Sequence, residues 1–241
     1  MEDEMLNLIG GSAGMMAIMI DAVVIAGAVQ LSLRQRVLFG AIIGAWVGLA
    51  SGLGAAGALI FSPDQKVPLL GVLVAAPIVI AAGFWARSPR LRTAVLAIPM
   101  PVLIGLNTSR VLGVLFLALL AEGRLSGPFP YSAGLGDMIT GALALSVARL
   151  AMNGSARDDA VVARWNLFGA ADLVAAIALG LGSARGSPVQ IFHGGVGSEA
   201  MQHLPFSLVP TVLVPFYLLT HAAVAAQLSA RKRRLGHAQP A

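Results

Sequence analysis

Residues 94–121 read AVLAIPMPVLIGLNTSRVLGVLFLALLA, an apolar run broken by a single charged residue, Arg110. A helical crossing of the hydrocarbon core takes about 20 apolar residues, so this run is long enough to span a membrane. A guanidinium cannot shed its proton. Arg110 therefore needs carboxylates, carbonyls, water or an anionic ligand supplied from within the membrane.

Six more apolar runs flank this one, near 10–33, 37–61, 67–86, 131–152, 160–183 and 205–229. The spacing predicts an all-α fold: one integral membrane bundle of seven transmembrane helices filling a single domain over 1–241, with a basic tail at 230–241. Alternate junctions collect the cations: Arg34 and Arg36; Arg87, Arg90 and Arg92; Arg149, Arg157 and Arg164; and Arg231, Lys232, Arg233 and Arg234. The other junctions hold only Lys66, Arg124 and Arg185, and the chain starts with Glu2-Asp3-Glu4. By the positive-inside rule the N-terminus is expected outside and the C-terminus in the cytoplasm, as in a multi-pass protein of a bacterial inner membrane.

Composition agrees, with 57% hydrophobic and 11% charged residues, too little polar surface for a soluble domain of this size. The net charge of +5 lies at helix ends, where it reads as a topology signal and a contact for anionic lipid rather than nucleic acid. The acidic start and long first run fit a retained helix better than a cleaved signal peptide. The chain has no cysteine, which removes disulfides and thiolate metal sites.

Gly40, Gly44, Gly48 and Gly52 recur every four residues and leave one face of the second helix without side chains. Such a stripe suits close helix packing. Packing inside the bundle is the first expectation, and contact with a second copy or a partner subunit is the alternative. Pro99 and Pro101 should kink or break the fourth helix near its basic end, and Pro210 and Pro215 should bend the seventh. The connections 121–131 and 184–204 could cap an outward-facing cavity, the second one carrying His193, Glu199 and His203.

Ionisable groups within membrane helices are candidates for function. Beside Arg110 these are Asp21 in the first helix, Asp137 in the fifth, Asp172 in the sixth and His221 in the seventh. Asn107 precedes Arg110 by three residues and should share its face, and Gly113 should leave space beside it. Arg110 is expected to meet Asp137 or Asp172. An Asp172 left without that partner would hold a proton. Gly134 and Gly136 could loosen the helix start around Asp137. Trp165 reads as an anchor at the membrane interface.

His221 could ligate haem, shuttle a proton or bond to a neighbouring helix. A bis-histidine haem lacks its second helix-borne imidazole, and a retinal Schiff base lacks its lysine, because Lys66 and Lys232 both lie at helix ends. Neither cofactor nor metal is expected. Nucleotide, hydrolase and metalloprotease motifs are missing.

The run Arg110-Val-Leu-Gly113, Gly123-Arg-Leu125, Pro130 and Ala133-Gly134-Leu-Gly136-Asp137 resembles a pattern of uncharacterised bacterial polytopic integral membrane proteins. The likeness continues through Trp165-Asn166, Gly169, Asp172, Leu204-Pro205, Pro210, Pro215 and His221. It implies a polar site built on Arg110, Asp137, Asp172 and His221, and it names no reaction. The expected function is transport or permeation of a small molecule or ion through a site between the fourth, fifth and sixth helices. The alternatives are a membrane enzyme or redox component acting on a lipid or quinone-like substrate, or an accessory subunit.

Overall fold

A computed structural model describes residues 2–29, 32–62 and 68–237. Lys66 and the tail beyond residue 237 lie outside the described residues. The elements are α1 (Glu2–Ala28), α2 (Leu33–Ala55), α3 (Leu69–Arg87), α4 (Pro89–Ala97), α5 (Met100–Gly105), α6 (Val114–Ala121), α7 (Phe129–Asn153), α8 (Ala156–Ser183) and α9 (Val214–His237). A 3-10 stretch, Leu106–Gly113, joins α5 to α6, and a π turn, Val209–Leu213, leads into α9. Taking α5 through α6 as one span, seven helical rods among the described residues are long and apolar enough to cross a membrane. The chain is a multi-pass membrane protein. No strand occurs among the described residues.

The prolines act through their missing donors. The fourth span breaks at Ile98-Pro99 rather than bending, which separates the short helix α4 from α5. Two carbonyls at the break, Val95 and Ile98, accept hydrogen bonds from Gln227 Nε2 of α9 at 3.0 and 2.9 Å. Pro210 falls in the π turn, where wider spacing tolerates a missing N–H. Thr211 Oγ1 donates to Ser207 O there at 2.6 Å, and Trp46 of α2 donates to Thr211 O at 2.9 Å.

The middle of the fourth span tightens to 3-10 because its polar side chains engage the carbonyls behind them. Asn107 Nδ2 donates to Leu103 O at 3.1 Å and Ser109 Oγ to Leu106 O at 2.8 Å, a competition with the helix's own bonding that alters it locally. At three residues per turn, positions i and i+3 eclipse. Asn107, Arg110 and Gly113 therefore line up on the buried face.

Glycines let α7 lie against this stretch. A Cβ on Gly141 would stand 2.6 Å from Val111 N, and one on Gly113 would stand 2.6 Å from Asp137 Cβ. The room expected beside Arg110 at Gly113 is thus taken up by α7. Gly134 and Gly136 sit in regular helix; they permit close approach and do not loosen the helix. The α2 stripe behaves differently. Apart from the helix's own backbone, no described atom lies within 4 Å of a Cβ built on Gly40, Gly44, Gly48 or Gly52, so close packing inside the bundle, the first expectation, does not occur along it. The reason is placement, since α2 touches the rest of the bundle mainly through α1 and the π turn.

The two ends of the bundle differ. At the basic end Arg231 pairs with Asp159 at 2.9 Å. At the opposite end, the loop end, residues 184–208 fold back over the helices: Ser198 Oγ donates to Gly180 O at 2.6 Å, and Gly197 N donates to Ser126 Oγ at 2.7 Å. That tethering buries Ala200, Met201 and Gln202, while His193 and His203 stay exposed.

Candidate functional site: a saturated guanidinium beneath an apolar cavity

Arg110 is buried among four elements. Its Nε–H donates to Asp137 Oδ1 of α7 at 2.6 Å and its Nη2–H to Asp172 Oδ2 of α8 at 2.7 Å. Nη1 donates to the Gly169 carbonyl at 3.2 Å and meets His221 Nε2 of α9 at 2.9 Å. A guanidinium has five N–H groups, and four of them are engaged here. Bonds to ionised partners at these lengths are the strong kind. The sequence left open which aspartate would answer Arg110; both do.

His221 has one internally consistent arrangement. Arg110 has only donors, so Nε2 accepts; Nδ1 must then carry the proton and donate to Asn166 Oδ1 at 2.9 Å. Asn166 Nδ2 donates back to the His221 carbonyl at 3.1 Å. Both ring nitrogens are used and the residue is 2% exposed. Trp165 packs beside the imidazole, ring centroids 5.2 Å apart, and donates its indole N–H to Thr140 O at 3.1 Å. Trp165 is accordingly a core residue and not an interfacial anchor, because α8 turns it toward α7 and α9.

Two bare positions make the cluster possible. A Cβ on Gly136 would collide with the Asp172 carboxylate, and one on Gly169 would stand 2.6 Å from His221 Cε1. These glycines admit a carboxylate and an imidazole where any side chain would separate the helices.

Arg110 carries one positive charge and the aspartates two negative ones, with a neutral imidazole. The fully ionised cluster has a net charge of −1. Its members differ in accessibility: side-chain exposure is 0% for Arg110, 7% for Asp172 and 15% for Asp137. Asp137 Oδ1 takes the contact with Arg110, while Oδ2 makes no hydrogen bond among the described residues. Asp137 is the member that can be reached.

It is reached from two cavities. One, of about 60 Å³, is lined by Ser109, Arg110, Asp137, Tyr217 and by Gly10, Gly11 and Gly14 of α1, room for a few waters. Ser109 Oγ and Tyr217 Oη share a hydrogen bond at 2.7 Å, and Tyr217 also bonds to Asp21. The other cavity, of about 370 Å³, runs from the loop end down to Asp137. Phe61, Phe116, Phe129, Leu173 and Met201 are among its walls. Its polar lining residues are Asp137, Ser198 and Gln202, the last also holding Phe61 N at 2.8 Å through Oε1. The capping role expected of the 184–204 connection falls to its buried part, since the wall is made by Ser198, Met201 and Gln202.

Two expected site residues stand apart. Asn107 turns from the cluster and donates to Thr220 Oγ1 at 3.2 Å. Asp21 is 4% exposed, with its Oδ2 unpaired among the described residues; it lies beside Tyr217 and faces a shallow apolar groove between α1 and the fourth span. Glu199 pairs with Arg185 at 2.8 Å near the surface. Nothing in the sequence marks Ser109, Tyr217, Asn166 or Gln202 as site residues by charge or spacing. Tyr217 and Gln202 carry no charge to mark them, and Asn166 showed only as part of the Trp165-Asn166 pair.

No curated protein and no solved structure matches this chain. The family model described as a domain of unknown function (DUF8737) matches residues 67–229, a stretch that holds Arg110, Asp137, Asp172 and His221 and leaves out Asp21 and the α2 stripe. The chain belongs to that family.

Proposed function

We propose that this is a small transport or permeation protein in which Asp137 and Asp172, held on Arg110, carry a proton or cation across the middle of the membrane. The supporting observation is the charge balance of the cluster. With four N–H groups engaged and no exposed side-chain surface, Arg110 has little left to offer an anion, and the pair of carboxylates is one positive charge short. Uncompensated charge in an apolar interior is costly. A proton on the aspartates, or a cation beside Asp137, makes the site neutral.

The cation-rich junctions support an orientation with the basic end in the cytoplasm and the loop end outside, as in a bacterial inner membrane. In that orientation Asp137 is reached from outside. Asp21, which accepts a hydrogen bond from Tyr217, would be the next carboxyl toward the cytoplasm. Proton flux in proteoliposomes tests the reading: loss of flux in Asp137→Asn supports it, and flux unchanged by both Asp137→Asn and Arg110→Ala overturns it.

The apolar walls of the 370 Å³ cavity favour a second reading, a membrane enzyme acting on a lipid or quinone-like molecule. His221 contributes nothing to that chemistry as placed, since both ring nitrogens are engaged. Conversion of an added lipid or quinone that depends on Asp137 would move the assignment to this second reading.

A further inference from the structure

We infer that the cavity above Asp137 is a binding site for lipophilic monocations, an apolar body carrying one ammonium group, which compete with a proton for the Asp137 carboxylate. This deepens the proposed function and rests on its reading of Asp137 as the reachable carboxylate.

Three features of the cavity define the ligand. Its size, about 370 Å³, admits a body of one or two rings and is far larger than a hydrated metal ion requires. Its walls are aromatic and aliphatic, with Phe61, Phe116, Phe129 and Leu173 available to a hydrocarbon body, which gains by leaving water. Asp137 lines the cavity, and one oxygen of that carboxylate, Oδ2, has no hydrogen-bond partner among the described residues. The other oxygen of that carboxylate is fixed by Arg110 at 2.6 Å, which leaves Oδ2 for a ligand. Aromatic faces also attract a cation.

The sign of the ligand follows from the cluster. An anion would add to a net negative site whose one guanidinium is already surrounded. A neutral molecule would leave the missing charge unsupplied and the proton in place. A cation supplies it, and when the aspartates hold a proton beforehand, one proton leaves as one cation enters. Asp172 cannot do the same, because its carboxylate is wedged over Gly136 and lines neither cavity.

The experiment uses the full chain in nanodiscs of zwitterionic phosphatidylcholine, with three probes of similar shape: 2-phenylethylammonium, 2-phenylethanol and 3-phenylpropionate. Titration calorimetry in buffers of different ionisation enthalpy reports both binding and proton release. The expected result is saturable binding of the ammonium probe alone, with about one proton released per cation in the pH range where the aspartates hold it, and binding weakened about tenfold per unit fall in pH there. Asp137→Asn should weaken binding at least tenfold. Ala176→Phe, which fills the cavity from α8 without touching the cluster, should do the same and guards against misfolding of the first variant. Binding of the ammonium probe no greater than to empty nanodiscs, binding indifferent to both substitutions, or tighter binding of the carboxylate probe would each overturn the inference. Amine binding that depends on Asp137 without any flux would uphold this site and defeat the transport reading. Asp137-dependent proton flux with no amine binding would do the reverse.

Discussion

The carboxylate of Asp172 rests against the bare Cα of Gly136, and this contact between α8 and α7 sets how deeply Arg110 can be enclosed. Replacing the hydrogen of Gly136 with a methyl group has nowhere to go except into the ion pair. Gly136→Ala should therefore part the two helices and strand a charged group. We expect a loss of about 3–5 kcal/mol in unfolding free energy, the scale of breaking a buried pair, read by denaturant titration in detergent. Gly44→Ala, at a position with open space, should leave stability within about 0.5 kcal/mol.

Because Arg110 has two carboxylate partners, removing one should be far milder than removing both. Asp137→Asn and Asp172→Asn each leave the guanidinium with one counter-charge and a neutral cluster. The double variant leaves it with none. A double-mutant cycle on thermal unfolding should show the double loss exceeding the sum of the single losses, with coupling of about 1–3 kcal/mol. Strict additivity would mean the two aspartates do not act on one group.

The bonding of His221 requires the neutral tautomer protonated at Nδ1. Nitrogen NMR of labelled protein should show this tautomer. His221→Phe should cost about 1–3 kcal/mol, since Arg110 Nη1 and Asn166 each lose a buried partner. An Nε2-protonated ring would contradict the geometry at Arg110 directly.

Gln227 bridges the proline break, so Gln227→Leu should leave the Val95 and Ile98 carbonyls without their side-chain partner. The expected cost is about 1–3 kcal/mol, together with faster amide hydrogen exchange over α4 and the start of α5. Unchanged exchange there would show that the break does not depend on α9.

The rods and the cluster's charged members were legible because each follows from a strong rule: apolar length for the spans, and for Arg110 the need to balance a charge it cannot discard. The same rule pointed to Asp137 and Asp172 but could not choose between them, since depth along a rod does not fix its rotation. His221 was harder to place. The π turn at Val209–Leu213 shifts the rotation of α9, and three prolines in a sequence do not say where such a turn forms. Asn107 lies on the face its spacing suggested yet bonds to Thr220, because its amide is taken up by Leu103 and α9. Trp165 was misplaced for a related reason: a tryptophan near a helix end reads as interfacial until the neighbouring carbonyl of Thr140 is seen. Gly134 and Gly136 were marked by composition, but only the packing shows that what matters is the space they leave.

On the proposed function, the carboxylates clamped on Arg110 take up and release a positive charge. Proton flux into proteoliposomes under an imposed pH gradient tests this, compared between the native chain, Asp137→Asn and the surface variant Glu199→Gln. Flux is expected in the native chain and in Glu199→Gln, and at least a tenfold loss in Asp137→Asn with the fold intact. Equal flux in all three would place the activity elsewhere and reduce the cluster to a structural lock.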